Sequence, residues 1–142
     1  MKKFEYINHT ADVEFKAYGK DLKELFRNSF IALFRIISTM DNAEKQKRVR
    51  RIKISERADT LENLMWYSLQ DAISLGDAES LFFYNVGLVE LVADKGYTLN
   101  AEIIGTAQKP KRLGFDIKAV SQYGIKIKKR GGVYSCNVIV DV

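Results

Sequence analysis

Between Asp21 and Ile37 the chain keeps a single period. Leu22, Leu25, Phe26, Ser29, Phe30, Leu33, Phe34 and Ile37 recur at helical spacing, which places them on one broad apolar face. Asp21 with Glu24 makes the capping-box pattern that opens such a helix. That much apolar surface must be covered, and the flanking residues supply the cover. "FEYI" reads as a short strand. In "VEFKAY", Val13, Phe15 and Ala17 fall on one face and Glu14, Lys16 and Tyr18 on the other, so it is a second strand.

Downstream the same logic continues. "KRVRRIKIS" is rich in β-branched residues and reads as a strand, with a slip in alternation at Arg50-Arg51 that predicts a bulge. "DTLE" repeats the capping pattern with Asp59 and Glu62. It opens a second helix with Leu61, Leu64, Met65, Leu69, Ala72 and Ile73 inward and Gly76 as its C-cap. "LFFYNVGLVELVA" and "YTLNAEIIGT" flank "DKG" as a hairpin. "KPKR", with the only proline, Pro110, is a loop. "GFDIKAVSQY", "IKIKK" and "VYSCNVIVDV" predict three more strands, the last two joined across "RGG". Helices come early and strands late, without a βαβ rhythm. The expected class is α+β, two helices packed on a largely antiparallel sheet. No linker, repeat or low-complexity segment divides the chain, so residues 1–142 are expected to form a single domain.

Several classes are set aside by what the sequence lacks. A chain of 142 residues can bury a real core. No apolar run approaches the roughly 20 residues of a membrane span, and "MKKFEYINHTADVEF" lacks the apolar centre of a signal peptide. A soluble, cytoplasmic protein with no membrane partner is expected. The lone Cys136 rules out a disulfide framework and a Cys-rich zinc site. It lies in a period-2 run and reads as a small buried residue. There is no Walker A cradle and no GxSxG elbow, and one histidine cannot make a His-Glu-x-x-His zinc site.

Carboxylates and cations remain. Asp12 lies in "NHTADVEF", between the first two strands, and Asp141 and Val142 close the chain. If the last strand pairs beside the first, these oxygens converge, and hard oxygen donors suit Ca²⁺, Mg²⁺ or Mn²⁺ rather than zinc. The plainer reading makes Asp12 an Asx turn residue and His9 a hydrogen-bonding turn residue. The net charge is +5. "KQKRVRRIK" carries six cations in nine positions, among them Arg50, Arg51 and Lys53; "KPKR" and "KIKKR" follow. These are either contacts for RNA phosphates or partners or solvated strand faces that discourage aggregation.

Taken together, "HTADVEFKAYGKDLKELF", "ERADTLENLMWYSLQDAI", "FDIKAV" and the closing "VIVDV" resemble the archease family, in its order and across nearly the whole chain. The resemblance implies a compact α+β fold and a non-enzymatic accessory role in tRNA splicing. Archeases support the RtcB-class RNA ligase, which joins tRNA exon halves using GTP and divalent metal, by promoting its guanylylation and multiple turnover. The family is also associated with a tRNA cytosine methyltransferase. The resemblance further implies a divalent-cation site, with calcium as the first expectation and magnesium or manganese as alternatives. Carried onto this chain, its residues are Asp12 and Asp141, with Val142 as a further ligand. Lys118 corresponds to the family lysine, and His9 belongs to the same functional motif. Two departures stand out. Asn8 replaces a customary acid, and Ser121 to Tyr123 replace Thr-Tyr-His, so the histidine expected there is missing.

Three functional classes follow. The first is a ligase activator using Asp12, Asp141 and Lys118. The second is an RNA-binding chaperone, or a modulator of the methyltransferase, working on tRNA through Arg50, Arg51 and Lys53. The third is a metal-dependent hydrolase in which Asp12, Asp141 and a cation activate water.

Overall fold

The computed structural model describes residues 1–8, 12–38, 48–110 and 112–142. The elements run β1 (Phe4–Asn8), β2 (Asp12–Gly19), α1 (Leu22–Ile37), β3 (Val49–Ala58), α2 (Leu61–Glu79), β4 (Phe82–Ala93), β5 (Tyr97–Thr106), β6 (Ala119–Val120), β7 (Lys126–Arg130) and β8 (Val133–Asp141). The order and the α+β class match the periodicity, and every strand pair is antiparallel. The strands, however, form two sheets. One runs β1-β2-β8-β6, with β7 also on β8; the other runs β3-β5-β4.

The helices hold the two sheets together. α1 packs on β2 and β8 of the first sheet and on β4 of the second, and α2 contacts β3 and β5 as well as β6 and β7. The core reflects this. Phe26, Phe30 and Leu33 of α1 and Leu64, Met65 and Leu69 of α2 are fully buried. They meet Phe15, Ala17, Cys136, Val138 and Val140 from one sheet and Leu99 and Ile103 from the other. Alternation along β2 and β8 aims one residue in two at α1, and burying that face removes apolar area from water.

Local differences from the sequence reading have physical causes. Asp21 caps α1 as expected, accepting from the Glu24 amide. α2 is capped by Thr60, whose hydroxyl accepts from the Asn63 amide, not by Asp59; the capping pattern is shifted by one residue. Gly76 does not end α2. The helix continues to Glu79 and is closed by Ser80 in the left-handed region, while the Gly76 carbonyl accepts from Leu81. The expected bulge at Arg50-Arg51 is absent, since β3 pairs with β5 without interruption from Val49 to Ala58. The bulges lie in β4 instead, between Phe83 and Asn85 and between Val86 and Val89.

"GFDIKAVSQY" is the largest departure. Only Ala119–Val120 pair as a strand. The rest spends its backbone donors elsewhere. Gly114 and Phe115 donate to the carbonyls of Ile37 and Ile36, which are orphan acceptors at the end of α1. The approach is so close that a Cβ on Gly114 would sit 2.0 Å from the Ile36 oxygen, so no other residue fits. The "RGG" turn is as expected, with Gly131 and Gly132 both at positive φ between β7 and β8.

Candidate functional site

The last strand joins the second, not the first. β2 and β8 run antiparallel in unbroken register from Gly19 opposite Tyr134 to Asp12 opposite Asp141. Val13, Phe15 and Ala17 lie across from Val140, Val138 and Cys136, and these form the inward face. Asp12 and Asp141 therefore share the other face at the end of the ladder. Residues directly opposite in such a pair have Cβ atoms about 4.5–5.5 Å apart. Asp141 is exposed, while Asp12 is half-buried and its Oδ1 is withdrawn from solvent. A carboxylate oxygen withdrawn from water needs a donor or a cation beside it.

The far side of β8 completes the edge. Ala119 of β6 lies opposite Asp141, and the Lys118 amide donates to the Asp141 carbonyl at 2.8 Å. One backbone segment is thus bracketed by Asp12 on one side and Lys118 on the other. Lys118 joins through its main chain, and its side chain is exposed. Val142 packs partly against the core.

What keeps so short a strand as β6 in place is α2. The Trp66 indole N–H donates to the Val120 carbonyl at 2.9 Å, and the Gln70 amide oxygen accepts from the Val120 amide at 3.0 Å. Both polar groups of one residue are clamped by side chains one helical turn apart. Sequence reading missed Trp66 and Gln70. The available signal was a tryptophan, which when buried seeks an acceptor for its N–H, four residues before an amide on a helix bordering the core. A carboxylate of Glu62 similarly accepts from the Ile127 amide at 3.2 Å, tying β7 to the same helix.

As donors, Asp12 and Asp141 are hard oxygen groups on adjacent strands, and one oxygen is already shielded. That fits a hard divalent cation. They form a pair rather than a cage, for among the described residues no group of three or more His, Cys, Asp or Glu side chains is placed to hold a metal. His9 lies outside the described residues.

The basic residues expected at a partner surface lie elsewhere. Arg50, Arg51 and Lys53 are exposed on β3, in the other sheet. Arg50 Nη1 is 3.2 Å from Glu79 and Arg51 Nη1 is 2.7 Å from Glu102, so each has a carboxylate partner, in pairs that solvent screens. Cys136 is fully buried. Burial, with a smaller push from Glu62, raises its thiol to about 12, so it is an inert core residue rather than a nucleophile.

A sequence profile described as the archease protein family matches residues 4–142. The chain belongs to the archease family. Among its relatives, the archease of Pyrococcus abyssi is 32% identical over 131 residues, covering 91% of this chain and 90% of that protein. The archease of Sulfurisphaera tokodaii is 30% identical over the full length of both chains, 100% of each. Of solved structures, protein 1598 of Methanobacterium thermoautotrophicum superposes with a TM-score of 0.81 at 27% identity, covering 100% of both chains. An archease of Thermotoga maritima, described as a possible chaperone, has a TM-score of 0.61 at 17% identity over 96% of this chain and 94% of that one. The latter speaks to the archease fold alone. Among the described residues no helix is long and apolar enough to cross a membrane.

Proposed function

We propose that this archease is a non-enzymatic accessory of the RtcB-class RNA ligase that joins tRNA exons in the cytoplasm. In this role it promotes ligase guanylylation and multiple turnover through a divalent-cation site at the β2–β8 edge. The observation that carries the reading is the Asp12–Asp141 register, which sets two carboxylates from opposite ends of the sequence directly across from each other. Like charges so placed are destabilising by themselves, and a cation between them reverses the sign. Asp12 and Asp141 would hold it, with an oxygen of Val142 and water filling the remaining positions. When bound, the cation supplies a concentrated positive charge for a phosphate-bearing partner, calcium being the first choice and magnesium or manganese the alternatives. Lys118, fixed beside Asp141 by its main chain, presents a mobile cation to the same partner.

The test is tRNA exon ligation under multiple turnover, with ligase limiting and this protein added in stoichiometric amounts. Stimulation by the wild type, lost in Asp12→Asn and in Asp141→Asn, is the expected outcome. Full stimulation by either variant, or none by the wild type, overturns the reading. The ion pairs of Arg50 and Arg51 weigh against the alternative in which β3 is the tRNA-binding or methyltransferase-binding surface.

A further inference from the structure

A second group of like charges lies at the other end of β2. Lys2, Lys3, Arg27 and Arg35 line a cleft of about 480 Å³ together with Tyr84 and Asn85, and among the described residues no Asp or Glu lines it. The cleft is built from three separate pieces. The N-terminal segment is docked by the Tyr18 amide, which donates to the Lys3 carbonyl at 2.8 Å, and by the Tyr6 hydroxyl, which donates to the Ala32 carbonyl at 2.9 Å. α1 contributes Arg27, Ile31 and Arg35, spaced by four on one stripe. β4 contributes Tyr84 at its first bulge, where Phe83 pairs with Gly105 and Asn85 with Ile104, leaving Tyr84 as the extra residue. A bulge is a recurrent device for re-aiming one side chain.

The two arginines of the cleft are held by neutral partners. Arg27 donates to the carbonyls of Val86 and Gly87, the backbone next to the second bulge of β4. Arg35 lies over the Phe4 ring at 5.7 Å. Carbonyls and a ring fix these guanidinium groups without cancelling their charge. Among the described cations of the cleft, Lys2 alone is near a carboxylate, Glu5 at 3.3 Å, with the two side chains 73% and 37% exposed, so solvent screens the pair. Asn85 Oδ1 accepts from the Val86 amide at 2.9 Å, which leaves its amide nitrogen as a donor at the cleft. Positive charge, the Tyr84 ring and one amide donor in a single concavity match the phosphate, base face and base edge of a nucleotide.

We infer that this cleft binds a nucleoside phosphate, with the phosphate on Lys2, Lys3 and Arg35 and the base stacked on Tyr84. This goes beyond the ligase reading and uses none of its residues. The ligand is either a free mononucleotide or one unit of a single-stranded RNA, and the experiment separates the two.

Binding of inorganic phosphate, of adenosine 5′-monophosphate and of a short single-stranded RNA is measured at low salt by calorimetry and by amide chemical shifts. Adenosine monophosphate binding with shifts centred on Tyr84 and Asn85 supports the inference. Tighter binding of the RNA identifies the strand as the source, and equal binding identifies the free nucleotide. Tyr84→Leu should weaken nucleotide or RNA roughly ten-fold and leave inorganic phosphate unchanged. Lys2→Gln with Lys3→Gln removes two exposed cations without touching the core. It should weaken the RNA far more than Lys126→Gln with Lys128→Gln, an equal charge change on β7, and flatten its salt slope by about 0.7 per cation. No nucleotide binding overturns the inference. So do equal losses from the two lysine pairs, or a Tyr84→Leu variant that binds nucleotide as well as the wild type.

Discussion

The two ends of β2 differ in sign. At one end Asp12 faces Asp141. At the other, the Tyr18 amide holds Lys3 beside a cleft lined by four cations. The ends are roughly 20 Å apart at the usual rise of a strand. Between them the inner face of β2 is fully apolar, with Phe15 and Ala17 at 0% exposure. On β3, by contrast, Arg50 and Arg51 each have a carboxylate in reach, while Arg57 donates to the carbonyls of Asp94 and Lys95. The proposed cation at one end of β2 and the inferred phosphate at the other would each supply the opposite sign.

One packed ladder fixes both ends, so the first way to break the comparison is through its centre. Phe15→Ala should cost about 3–5 kcal/mol, read as a lower urea midpoint with an unchanged slope, and amide shifts should appear at both Asp12 and Lys3. If only one end responds, the two are not held by a common core. A smaller effect should separate the ends. Trp66→Phe removes the donor to the Val120 carbonyl and should cost about 1 kcal/mol. It should loosen the Lys118–Asp141 contact, seen as faster exchange of the Lys118 amide, while the cationic cleft stays unaltered.

The smallest effect sharpens the comparison through a second carboxyl pair. Glu56 on β3 is pushed up to about 7, chiefly by a hydrogen bond from its side chain to Asp71 and then by burial and the Asp71 charge. The proximity of Asp71 favours the protonated form of Glu56. The folded value lies above the unfolded one, so the folded state binds the extra proton. The associated stability is complete below about pH 4.5 and is lost as pH rises through about 7. Both side chains are partly exposed, so solvent screening keeps the contribution small. Asp71→Asn should flatten this part of the stability–pH curve in thermal melts. An unchanged slope would show that Asp71 does not favour the protonated form of Glu56.

How much of this was legible in the sequence depended on where each hydrogen bond ends. β1, β2, α1 and the two glycine-turn hairpins follow from local period and turn chemistry, and they stand where the sequence placed them. The division into two sheets was not legible, because the contacts that sort strands between sheets are made through α1 and α2 and leave no local pattern. "GFDIKAVSQY" looked like a strand because it has strand composition. Its donors go to a helix end and its one paired dipeptide is clamped by Trp66 and Gln70, partners about 50–80 residues away along the chain. Thr60 rather than Asp59 caps α2 because a shift of one residue decides which oxygen meets the third amide. At the site, sequence supplied the residues and the conditional convergence of Asp12 with Asp141. It did not supply the partner strand, β2, or the role of α2 in holding β6. The cationic cleft was invisible, since its lysines, arginines and tyrosine come from three distant segments and one depends on a bulge that alternation had placed in the wrong strand.

Asp12 and Asp141 are proposed to form one cation-holding edge. A calorimetric titration of the protein with calcium tests it most directly, repeated on Asp12→Asn and on Asp141→Asn after circular dichroism confirms that both are folded. One ion per chain is predicted for the wild type, with binding abolished by either substitution alone and the melting temperature raised by calcium only in the wild type. Calcium binding that survives in either variant, or a wild type that takes up no calcium, magnesium or manganese, would contradict it.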